Sequence, residues 1–106
     1  MSDYIVALTT TNSLELANTI AGDLVQSAVA ACVNIIPNIS SVYKWKGEVC
    51  VDQEWLLVIK SRSEHFERIR ERIRALHSYD VPEVIELPIT RGDAAYLQWL
   101  YDNTQS

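Results

Sequence analysis

The chain has 106 residues, 48% of them hydrophobic and 22% charged, which is the size and apolar content of one domain spanning 1–106 and excludes a disordered tail. Its 14 acidic against 9 basic side chains leave a formal charge of −5, which argues against nucleic acid and anionic membrane as partners. Two cysteines, Cys32 and Cys50, with no secretory signal pattern and no apolar run fit to span a bilayer, point to reduced thiols in the cytoplasm.

Tyr4 to Thr10 reads as a first strand, followed by Thr11, Asn12 and Ser13, with Asn12 expected to cap a helix and Glu15 to support the cap. In that helix Ala17, Ile20, Ala21, Leu24, Val25 and Ala28 recur at spacings of three and four, so one face is buried. Cys32 to Ile36 and Ser40 to Trp45 are β-rich on either side of Pro37 and Asn38, which predicts one strand bent or bulged at the proline. Lys46-Gly47 is a two-residue turn into a third strand, Glu48 to Val51 and on through Trp55 to Lys60. The five consecutive apolar residues Trp55 to Ile59 imply burial on both faces, as in a central strand. Ser63 is expected to cap a second helix carrying Phe66, Ile69, Ile73 and Leu76 and ending near His77-Ser78-Tyr79. Val84 to Leu87 is a fourth strand closed by Pro88, and Gly92-Asp93 opens a last helix with Tyr96, Leu97, Leu100 and Tyr101.

The order β-α-β-β-α-β plus a C-terminal helix defines an α+β, ferredoxin-like split βαβ sandwich, with both main helices on one face of an antiparallel sheet. The hairpin of strands two and three has arms of about fourteen residues, which at roughly 3.3 Å per residue reach about 45 Å. A helix of about sixteen residues spans roughly 24 Å. The outer hairpin, with Tyr43, Trp45 and Val49, therefore overhangs its helical cover, and together with Trp55 it is expected to be buried between subunits.

Ala30-Ala31-Cys32-Val33-Asn34-Ile35-Ile36-Pro37, followed by Ser41-Val42-Tyr43-Lys44-Trp45-Lys46-Gly47, resembles the signature of the CutA family. Glu54 with Leu57, Ile59-Lys60, His77-Ser78-Tyr79, Pro82-Glu83, Leu87-Pro88-Ile89, Gly92 and Tyr96 to Leu100 follow in the family's order, so the resemblance covers nearly the whole chain. It implies a ferredoxin-like subunit, a homotrimer built through the long hairpins, and a cytoplasmic role in tolerance of divalent metals, chiefly copper. It also implies a possible site: the family's proposed copper ligands are a first-strand cysteine and two adjacent histidines ending the second helix. The matching positions here read Thr9, Leu76 and His77, which leaves His77 as the candidate metal ligand and implies weak binding.

Outside the resemblance, Cys32, Cys50, His65 and His77 show no paired spacing of the kind a prebuilt zinc centre uses. His77, Tyr79 and Glu83 lie at one helix-to-strand junction, and Lys60 ends a strand expected to neighbour it. Lys60, Tyr79 and Glu83 can then be read as a pocket for a small anion or metal-bound molecule, or as caps that fix the junction at a subunit seam. The chain has no Gly-rich phosphate loop and no nucleophile motif, so no enzyme is expected. The alternative function, by likeness of architecture to the trimeric PII signalling proteins, is a sensor that binds a small anionic metabolite between subunits.

Overall fold

The computed structural model describes residues 3–105, in the element order β1 (Tyr4–Thr11), α1 (Leu14–Gln26), β2 (Cys32–Trp45), β3 (Glu48–Arg62), α2 (Phe66–Leu76), β4 (Ile85–Pro88) and α3 (Ala94–Asp102). The four strands form one sheet in the order β2-β3-β1-β4, every neighbouring pair antiparallel. This is the ferredoxin-like arrangement that the element order predicts.

Strand β1 buries every second residue: Ile5, Ala7, Thr9 and Thr11 are inside, while Tyr4, Val6, Leu8 and Thr10 are partly open. Its partner β3 continues the pattern, with Leu57 beside Thr9 and Ile59 beside Ala7. On this face sit Ala17, Ile20 and Leu24 of α1 and Ile69 and Ile73 of α2, so the core is a single layer between the sheet and two helices. Burial of the apolar run in β3 is thus one-sided. Leu57 and Ile59 are fully buried, whereas Leu56 and Val58 point to the opposite face and are half-buried, on the side where Ile36, Ile85 and Leu87 are exposed.

Helix boundaries differ from the sequence reading where backbone groups find other partners. Ser13, not Asn12, caps α1, its hydroxyl accepting from the Leu16 amide at 3.1 Å. The helix stops at Gln26, and Ala28 takes a left-handed φ of 60° outside it. Helix α2 starts at Phe66, because Ser63–His65 form a turn of 3₁₀ helix first. The last helix opens after Gly92-Asp93 as expected, and Asp93 caps it, accepting from the Tyr96 amide at 3.2 Å. Strand β4 is displaced by one residue and takes in Pro88, which an edge strand tolerates.

The hairpin has its predicted form. Register shifts between Ile36 and Ile39, where Asn38 has φ 56°, and the turn places Lys46 and Gly47 at φ 50° and 80°. Two consecutive positive values match the right-handed twist of the flanking strands, and glycine makes the second one easy. The molecule measures 45 × 25 × 22 Å, its length set by this ribbon. Trp45 is 61% exposed and Val49 69% exposed, with Val42 and Val51 similarly open. Pairing of Tyr43 with Cys50 and of Lys44 with Val49 puts Tyr43 and Trp45 on one face of the ribbon and Val49 on the other. Trp55 is placed differently from these. It pairs with Thr11 and packs against the subunit's own core, because β1 and the helices still cover β3 at that level.

Candidate functional site

The end of α2, the end of β1 and the base of the hairpin meet at one corner. Helix α2 runs to Leu76 and breaks because His77 turns extended, at φ −74° and ψ 147°, while its amide still reaches the Ile73 carbonyl at 2.8 Å. The His77 ring then bridges two backbone groups: Nε2 lies 2.7 Å from the Thr10 carbonyl oxygen, and the Tyr79 amide donates to Nδ1 at 3.1 Å. A carbonyl can only accept and an amide N–H only donate, so in this arrangement Nε2 donates to Thr10 and Nδ1 accepts from Tyr79. Neither nitrogen has a lone pair turned to a metal.

Tyr79 lies against that ring, centroids 4.5 Å apart, and its hydroxyl donates to the Glu54 carboxylate at 2.7 Å. Glu54 is 8% exposed, just past the point where β1 ends beside Trp55. One pair further out, the Tyr43 hydroxyl donates to Asp52, and this bond above all pushes the phenol up to about 12. Burial first, then the bond to Glu54, holds the Tyr79 phenol above its ordinary value as well. Glu83 completes the corner: partial burial and then the Glu54 charge push its carboxyl above the usual range.

The structure therefore brings His77, Tyr79 and Glu83 to one junction and adds Glu54 and Asp52 from β3. Lys60 stands apart. It faces Val6 and Cys32, six residues along β3 from Glu54, which at ~3.3 Å per residue is about 20 Å away. The expectation that Lys60 neighbours the junction fails within one chain because β1 is antiparallel to β3. The end of β1 that meets α2 lies beside Trp55, and Lys60 lies toward its start. The corner as built is acidic. Glu54 entered the sequence analysis only as part of the family resemblance, and its bond to Tyr79, twenty-five residues on, had no local signal.

The positions corresponding to the implied copper ligands do not fit a soft metal. Thr9 is fully buried and its Oγ1 has no partner, Leu76 packs against the core, and both nitrogens of His77 are taken. Among the described residues no group of three or more His, Cys, Asp or Glu side chains converges as a metal cage. Cys32 and Cys50 are both free thiols. A second polar cluster, unforeseen in the sequence, ties down Thr104 after α3: Arg62 donates to the Thr104 hydroxyl and carbonyl at 2.8 and 2.6 Å, and buried His65 lies 2.7 Å from the same carbonyl.

The family profile described as CutA1 divalent ion tolerance protein matches residues 5–103. The divalent-cation tolerance protein CutA of Thermus thermophilus is 50% identical over 93% of this chain and 96% of its own length. The chloroplastic protein CutA of Arabidopsis thaliana is 48% identical over 96% of this chain, which spans 56% of that longer relative. Among solved structures, CutA1 from Oryza sativa superposes with a TM-score of 0.96 at 44% identity, covering 99% of this chain and 96% of that one. The Thermus thermophilus protein gives 0.93 at 50% identity, covering 95% of this chain and 98% of that one. No helix among the described residues is long and apolar enough to cross a membrane. With a profile match over nearly its whole length, a fold that superposes on solved relatives at a TM-score of 0.93 and half of the aligned residues identical to one of them, the chain belongs to the CutA1 divalent ion tolerance family.

Proposed function

We propose that this protein serves divalent-cation tolerance in the cytoplasm as a homotrimer, meeting copper and other divalent ions through weak, unselective contacts and not through a built centre. The observation that carries the metal part is the His77 ring, whose two nitrogens are both committed to backbone groups. A ligand must offer a free lone pair, so metal binding there would first have to break a hydrogen bond. Assembly is supported by the apolar ribbon: Val42, Trp45, Val49 and Val51 are exposed on both of its faces, and a second copy would remove them from water. The alternative, a sensor of small anions between subunits, draws less support, since the Tyr79 corner carries carboxylates and Lys60 lies at the far end of β3.

Calorimetric titration with copper(II) tests this reading. Weak binding that is unchanged in His77→Asn is expected. Tight, stoichiometric binding abolished by His77→Asn would overturn it.

A further inference from the structure

Two charged groups on β3 have no counterpart inside the chain. Lys60 follows Leu56 and Val58 on the face turned away from the helices and is half-buried, with Val6 beside it on β1, Cys32 on β2 and Leu87 one strand further out. Among the described residues its ammonium forms no ion pair. Such a group is tolerable on an apolar face only while water reaches it. At the other end of the same run, Glu54 is 8% exposed and its Oε2 accepts from the Tyr79 hydroxyl. No cation pairs with it, or with Asp52 and Glu83 beside it, among the described residues. The phenol answers one oxygen and leaves the charge uncompensated.

The two groups cannot meet within one chain, being about 20 Å apart along one strand. They can meet across a seam, because a cyclic trimer joins unlike patches head to tail and each copy presents one patch while receiving the other. We propose that Lys60 of one copy seats against Glu54 at the Tyr79 corner of the next, so that this site is complete only when a second copy supplies the cation. The inference rests on the homotrimer of the proposed function and names the charge pair that sets its register. Covering the face where Ile36, Ile85 and Leu87 are exposed strips water from Lys60, and a carboxylate is the group that can take the place of that water. Lys44 and Lys46 need no such partner. Both are exposed near the hairpin tip, where Lys46 lies over the Trp45 ring.

The experiment is subunit exchange between differently tagged full-length copies of wild type, Lys60→Met, Glu54→Gln and the double variant. Glutamine keeps an oxygen for the Tyr79 hydroxyl, and methionine keeps an unbranched apolar stem without the charge. Each single variant leaves the other charge buried and unpaired, so exchange should speed up about tenfold or more. The double variant, with both charges gone, should exchange no faster than either single one. Two independent sites this far apart on one chain would give effects that multiply, and that result overturns the pair. If Glu54→Gln fails to fold, the sign at Lys60 decides. With no carboxylate across the seam, Lys60→Met only makes the face more apolar, so exchange that is unchanged or slower refutes the proposal. A monomeric wild type would instead refute the trimer on which it rests.

Discussion

Thr9 and Thr11 form a matched pair on which the account of the core can be tested. Both sit on the helix-facing side of β1 with 0% exposure, two residues apart. Thr11 donates its hydroxyl to the Ser13 carbonyl at 2.8 Å, whereas the Thr9 hydroxyl has no partner. Valine matches threonine in shape and in β-branching, so Thr→Val changes the hydroxyl and little else. At Thr9 the substitution removes a buried group whose desolvation costs about 1–3 kcal/mol, so the protein should become more stable. At Thr11 it removes a hydrogen bond of net value about 1 kcal/mol. The Ser13 carbonyl keeps its bond from the Ala17 amide, so no orphan acceptor adds to that loss. The two variants should therefore separate by roughly 2 kcal/mol or more, with opposite signs. Urea unfolding at one fixed protein concentration measures this as displaced midpoints at unchanged slope. Thr9→Val as destabilising as Thr11→Val would refute the reasoning and give the Thr9 hydroxyl a partner in the assembled protein.

Trp45→Ala should weaken assembly by about 2 kcal/mol or more, as loss of a central interfacial aromatic does, and speed subunit exchange between differently tagged copies; exchange at the wild-type rate would make Trp45 peripheral. Light scattering of the wild type at low micromolar concentration should give three times the 12.0 kDa chain mass, and a well-folded monomer would contradict the trimer. Glu83→Gln should raise the melting temperature at neutral pH. The folded-state carboxyl is held above its unfolded value, so ionising it opposes folding and the cost grows as pH rises through that window. The gain should be small, because Glu83 is largely exposed to screening solvent, and it should vanish below the ordinary carboxylate range; a gain that persists there would assign it to something other than charge.

The fold was legible because each element carried its own period and punctuation. Alternation in Tyr4–Thr11, the three-and-four spacing of Phe66, Ile69 and Ile73, and Lys46-Gly47 between two β-rich runs each specify one local geometry. Helix starts were less legible, since Asn12 and Ser13 are both good caps and only the path of the chain chooses between them. At the site, sequence placed His77, Tyr79 and Glu83 together because they are close along the chain. It misplaced Lys60, whose position depends on strand register, and gave no sign that the ring of His77 would be used up by Thr10 and Tyr79. Contacts between residues far apart in sequence, such as Tyr79 with Glu54, leave no local periodic trace.

In the proposed function, this chain supports divalent-cation tolerance as an assembled oligomer and without a metal centre at His77. Growth in graded copper tests it most directly, in cells lacking their own member of the family and expressing wild type, Trp45→Ala or His77→Asn at matched levels. Wild type and His77→Asn are predicted to restore growth alike, and Trp45→Ala to restore it less. Loss of tolerance in His77→Asn alone, full rescue by Trp45→Ala despite faster subunit exchange, or no rescue by wild type would contradict the account.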